Sequence, residues 1–143
     1  MKILIAADGS PYTRRVLDYL GSHPEFIEGH QEYVVLHVVA AVPARAASSV
    51  TKERLVSYYD DAAARVIKPI RAFFKKQSLN ADFVSKVGHA ADVIGKDAKQ
   101  GKFDLLIMGS RGHGAVASLL MGSVAVKVLG HCDTPVLLVR CCC

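Results

Sequence analysis

Tryptophan is absent from the 143 residues, and no apolar run approaches the roughly 20 residues that a membrane helix needs. No secretory leader is expected either. The opening Met1-Lys2-Ile3-Leu4-Ile5-Ala6-Ala7-Asp8 has too short an apolar stretch and ends it on an acid. The expected location is therefore the cytoplasm, with no membrane partner. The four cysteines do not form a disulfide framework or a zinc spacing. Cys132 stands alone, and Cys141-Cys142-Cys143 form a tail that reads either as a solvated terminus or as a thiol site. The Gly-Lys-Ser/Thr of a P-loop is also lacking, as is a dinucleotide fingerprint after the first strand.

What is present is a globular composition. Hydrophobic residues make up 51% and charged residues 22%, enough apolar material for one packed core at this length and not the profile of a disordered chain. The expectation is one domain over residues 1–143. The net charge of +5 owes much to Arg65, Lys68, Arg71, Lys75 and Lys76, which share one helix face. Without interleaved aromatic residues to stack bases, the stripe reads as a solvated face and not as a nucleic-acid surface.

Strand and helix signals alternate throughout. Apolar runs at 2–7, 33–39, 103–108 and 135–139 predict strands buried on both faces. The more polar 81–87, with Asp82 and Lys86, predicts an edge strand. Ser10 followed by Pro11 predicts a capped helix start, and that helix ends before Pro24. A Pro-, Ala- and Ser-rich loop is expected at about 40–49. Helical spacing then runs from Leu55 to Phe74, with Pro69 expected to kink the helix or end it early. Shorter helices are expected over Ala90–Gln100, with Ala91, Ile94 and Ala98 inward, and over Ser123–Leu129 with Gly130 as C-cap. His37 reads as a buried structural histidine. Five strands alternating with four helices predict an α/β fold with one doubly wound parallel sheet, order 3-2-1-4-5, and helices on both faces.

The chemistry gathers in Gly109-Ser110-Arg111-Gly112-His113-Gly114 and in Gly122-Ser123-Val124. Gly109 directly follows a buried strand, at the carboxyl edge where parallel sheets bind ligands. Glycines there allow close backbone approach, and successive N–H groups make an anion nest. Ser123 begins a helix whose first N–H groups are unpaired. Two such segments on one sheet edge suit a polyphosphate. Steric need alone would also account for the glycines, but the second Gly-Ser at a helix start favours phosphate.

The spacing Gly109-x2-Gly112-x9-Gly122-Ser123 resembles the nucleotide loop of the ATP-binding universal stress proteins. The resemblance extends to Lys2–Ile5 with Asp8-Gly9-Ser10, to Leu36-His37-Val38, to Phe103–Gly109 and to Cys132–Val139, and so covers essentially the whole chain. A departure is Ala90, where many members carry proline; it is expected to bear on a turn and not on the site. The resemblance implies that Asp8 bonds the ribose, though helix capping would also employ it. It implies further that Ala7 and Val39 line an adenine pocket, with Val39 offering backbone groups, and that Met108 packs near the base. Gly109, Gly112, Gly122, Ser123 and the Val124 amide would hold ribose and phosphates. Arg111, like His113, would either contact the γ-phosphate or stay solvated. Mg or Mn would be held mainly by the phosphates. A homodimer joined through Val136–Val139, apolar on both faces at a sheet edge, is expected.

These readings imply an ATP-binding regulatory or stress-response module with little or no turnover, open to an unidentified protein partner. The alternative is a slow ATPase or phosphotransferase. Neither a P-loop lysine nor a carboxylate pair lies near the loop to drive fast transfer.

Overall fold

The computed structural model describes residues 1–114, 116 and 118–140; the Cys141–Cys143 tail lies outside them. The elements in order are β1 (Lys2–Ala6), α1 (Pro11–Ser22), α2 (Pro24–Ile27), β2 (Glu32–Val39), α3 (Ala44–Ala47), α4 (Lys52–Lys76), β3 (Ala81–Val87), α5 (Ala90–Gln100), β4 (Leu105–Gly109), α6 (Ser123–His131) and β5 (Val136–Val139). All strand pairs are parallel, and the order is β3-β2-β1-β4-β5. Ala6 pairs with Leu36 on one side and Met108 on the other. The turns leaving β1 and β4 therefore emerge side by side, at the point where the strand order reverses.

Strand alternation divides the interior into two cores. Ile3, Ile5, Val35 and Ile107 pack with Val16, Leu17 and Leu20 of α1 and with Ile70 and Phe74 of α4. Leu4, Ala6, Leu36, Leu106 and Met108 face the other way, against Ile94 and Ala98 of α5 and Ala125 and Val128 of α6. Continuous apolar runs are what a sheet covered on both faces requires. The expected edges hold. β3 exposes Asp82, Ser85 and Lys86, with Lys86 paired to Asp97 at 2.7 Å, and β5 forms the other edge. His37 is buried, and its Nδ1 donates to the Ala7 carbonyl at 2.7 Å.

The local readings depart from the structure in several places. α4 does not end at Pro69 but continues to Lys76. Pro69 is exposed, so the carbonyl it leaves unbonded can face water. Burial of Ile70 and Phe74, at about 1.5–3 kcal/mol each, matches the roughly 3 kcal/mol a helix proline costs. α6 likewise runs through Gly130 to His131 and ends at Cys132. A helix-interior glycine costs only about 1 kcal/mol. The single-turn helices α2 and α3 carry too little periodicity to be read. β4 begins at Leu105 because Asp104 is drawn into bonds with Lys2: its N–H donates to the Lys2 carbonyl and its carboxylate accepts from the Lys2 N–H. Ser10 occupies the N-cap of α1, yet its hydroxyl makes no capping bond. The cationic stripe of α4 is exposed, with Arg71 stacked 4.2 Å above the Phe83 ring. No helix among the described residues is long and apolar enough to cross a membrane.

Candidate ligand-binding site

A cavity of about 370 Å³ opens where the carboxyl ends of β1, β2 and β4 meet the starts of α5 and α6. That volume lies within the range of small-molecule sites, about 300–1,000 Å³. Its apolar part comes from Ala6, Leu36, Val38, Ile94 and Met108. Its polar part comes from Asp8, Thr13, Arg111 and His113, together with the backbone of the glycine loop. Ser123, Val124 and Ala125, the first turn of α6, line it as well. The first intrahelical bond of α6 is Val126 N–H to the Gly122 carbonyl. The three preceding N–H groups have no partner within the helix, and no side chain caps them. That is an anion-binding arrangement.

The turn after β1 is tightly bonded. Asp8 Oδ1 accepts from the Ser10 N–H at 2.9 Å and from the Thr13 hydroxyl at 3.0 Å. Thr13 Oγ1 in turn accepts from the N–H groups of Asp8 and Gly9, at 3.1 and 3.2 Å. Asp8 Oδ2 accepts from the His113 N–H at 3.3 Å, and His113 Nε2 donates to the Asp8 carbonyl at 2.8 Å. Burial pushes the Asp8 carboxyl up, but the Ser10, Thr13 and His113 groups outweigh it and hold it below the usual carboxylate range. The Ser10 hydroxyl lies near without making a hydrogen bond, so its backbone N–H and Thr13 supply the bonds.

The glycines of the loop answer to packing. A Cβ at Gly112 would collide with Asp8 Oδ2. One at Gly109 would lie 2.6 Å from Tyr12 Cβ, and one at Gly122 would lie 3.1 Å from Arg111 Cα. The Gly122 N–H is itself bonded to the Ser110 carbonyl at 2.8 Å. Steric need thus accounts for these three positions, while the free N–H groups are supplied by the helix start beyond them.

Ala7, Asp8, Met108, Gly109, Arg111, Gly112, Gly122, Ser123 and Val124 all line the cavity. Val39 does not: its side chain lies on the opposite face of β2, 7% exposed, and its carbonyl accepts from Gly88 N–H at 3.0 Å. Val38 takes its place, as alternation from Leu36 could have shown. Ala90, read as a turn position only, also lines the cavity. Thr13 was missed because a lone helix threonine carries no signal until its bonds to the preceding turn are seen. Ile94 was read as core and serves also as cavity wall. No cluster of three or more His, Cys, Asp or Glu side chains among the described residues could hold a metal ion.

Fold and site together define a doubly wound α/β protein with a cavity at its topological switch point, apolar at one end and lined at the other by the first turn of a helix. The chain belongs to the universal stress protein family, whose sequence profile matches residues 1–140. It is 27% identical over 139 residues to universal stress protein Slr1230 of Synechocystis, covering 97% of this chain and 42% of that protein. A second relative, from Thermus aquaticus, is 49% identical over 53 residues, 37% of this chain and 39% of its own length. The chain thus spans less than half the length of these curated relatives. Among solved structures it resembles universal stress protein UspA from Lactobacillus plantarum, with TM-score 0.78 and 22% identity, covering 98% and 97% of the two chains. It also resembles an Arabidopsis thaliana family member with AMP bound, with TM-score 0.71 and 16% identity, covering 98% and 91%. Other family members of the same fold were solved in complex with cAMP and with dAMP.

Proposed function

We propose that the protein is an ATP-binding regulatory module that holds the nucleotide with little or no turnover. The observation that carries this reading is the meeting of three features in one cavity: an apolar pocket, the ionised Asp8, and the N–H groups of Ser123, Val124 and Ala125, which have no partner among the described residues. The adenine would enter the pocket of Leu36, Val38 and Met108. Asp8 would accept from a ribose hydroxyl, and the start of α6 would hold phosphate. Family members solved with AMP, cAMP and dAMP support an adenine nucleotide as the ligand class. Mg or Mn would be held mainly by the phosphates, since no side-chain cluster among the described residues suits a metal.

Backbone N–H groups grip a ground-state polyphosphate, and binding ground and transition states equally does not accelerate chemistry. A slow ATPase or phosphotransferase is the second reading, favoured by Arg111 and His113 lining the same cavity. A homodimer through Val136–Val139 and a cytoplasmic location complete the proposal. Calorimetry with ATP and magnesium tests binding, and native mass spectrometry reads copurified nucleotide and dimer together. No heat of binding and no copurified nucleotide would reject the module reading. Steady-state phosphate release on the order of 1 per second or faster, lost on Arg111→Ala/His113→Ala, would replace it with the enzyme.

A further inference from the structure

We propose that Thr13 is a positioning residue for the ligand site, its hydroxyl fixing the Asp8 carboxylate so that one oxygen is held by the fold and the other is left for a ligand. This rests on the nucleotide reading above and adds a residue and a division of labour to it.

Thr13 is only 6% exposed and sits in the first turn of α1, the third residue after Ser10. From there a side chain can reach back to the N–H groups ahead of the helix, the geometry a capping box uses with glutamate. A hydroxyl has two acceptor positions and one proton to donate. All three are used here: the N–H groups of Asp8 and Gly9 donate to Oγ1, and Oγ1 donates to Asp8 Oδ1. The direction of that last bond is forced, because both acceptor positions are already taken.

The result is an unequal carboxylate. Oδ1 accepts from Thr13 and from the Ser10 N–H. Among the described residues, Oδ2 accepts only the longer 3.3 Å bond from the His113 N–H. A ligand hydroxyl therefore finds Oδ2 and competes there with the loop and not with the turn. Without the Thr13 hydroxyl, two N–H groups lose their acceptor and Oδ1 loses a donor. The carboxylate is then held by fewer bonds and costs more to keep ionised. Of the titratable and charged groups among the described residues, His113 from the loop helps to lower the Asp8 carboxyl, and Arg111 lines the same cavity. From α4 the side chain beside Gly9 is the apolar Val66.

The test compares wild type, Thr13→Val, which keeps the shape, and Thr13→Ser, which keeps the hydroxyl; Thr13→Ala stands in should the valine variant not fold. Carbon NMR titration of the Asp8 carboxyl is read in the free protein, and ATP affinity by calorimetry. Thr13→Val should titrate Asp8 at higher pH than wild type and bind ATP about tenfold more weakly, with Thr13→Ser restoring both. In an Asp8→Asn background, Thr13→Val should add little further loss. An unchanged Asp8 titration in Thr13→Val, or unchanged ATP affinity despite a shifted titration, overturns the proposal. So does a full additional loss in the Asp8→Asn background. A wild type that binds no ATP defeats the nucleotide reading, a result distinct from the NMR arm, which reads Thr13 acting on Asp8 in the free protein.

Discussion

Two connections flank the cavity, and they are built in opposite ways. The turn from β1 to α1 is short, and Asp8, Gly9, Ser10 and Thr13 bond one another through backbone and side chain. The connection from β4 to α6 is long, and among its described residues the bonds gather at its base, where the Ser110 N–H donates to the Val139 carbonyl. Gly122 bonds Ser110 at its base, His113 reaches Asp8, and Arg111 Nη1 approaches the Tyr12 hydroxyl at 3.5 Å. Beyond these, Val116, Leu119 and Leu120 are exposed, Leu120 by 71%. A stretch whose apolar side chains are exposed opens at lower free energy than one whose polar groups are internally satisfied. The first connection presents a fixed carboxylate; the second can adapt to what enters.

If that contrast holds, the largest effect comes from breaking the base of the loop. Gly109→Val places a side chain against Tyr12 at the root of α1 and should destabilise the fold by about 1–3 kcal/mol, read as a lowered denaturant midpoint. On the rigid side, Asp8→Ala should weaken ATP binding about tenfold to hundredfold with the fold retained, read by calorimetry.

The same carboxylate gives a pH signature. The Asp8 carboxyl lies below its reference value of 3.8 in the folded state, so its ionised form contributes stability that is complete above that value. The contribution is lost as pH falls from there through the lower folded value. The stability difference between wild type and Asp8→Asn should therefore be flat from pH 5 to pH 7 on this reasoning and shrink below about 3.8. A difference that instead grew on acidification would contradict the bonding described for the turn.

Smaller effects should separate the two connections further. His113→Ala removes the ring bond to the Asp8 carbonyl and should raise amide exchange at residues 111–114, while global stability changes by no more than about 0.5 kcal/mol. Far from the cavity, Gly130 lies exposed within α6 and a Cβ there meets nothing within 4 Å. Gly130→Ala should stabilise by about 0.5–1 kcal/mol and leave ligand affinity unchanged.

The parts of this molecule that were legible in the sequence are those where local chemistry and tertiary demand agree. Runs such as Ile3-Leu4-Ile5 announce a strand covered on both faces, and the alternation of strands and helices fixes the sheet order through the handedness of crossovers. Asp8 and the Gly109–Ser123 stretch stood out because turn chemistry is written in single residues. Other features depend on partners distant in the chain. Which of Val38 and Val39 faces the cavity is a matter of register. Pro69 and Gly130 sit inside helices because packing outweighs propensity. The steric role of Gly122 is visible only once Arg111 lies beside it.

The division of the interior by the sheet has a consequence for how the protein can change. Ile5 answers to the helices α1 and α4, whereas its chain neighbours Leu4 and Ala6 answer to α5 and α6, and Ala6 is also cavity wall. Substitutions without shared partners add independently. The core around Ile5 can thus trade volume among Leu20, Ile70 and Phe74, none of which lines the cavity, while Ala7 and Thr13 tie its other end to the site. The lining of the cavity and much of the stability are, to that extent, separately heritable along a single strand.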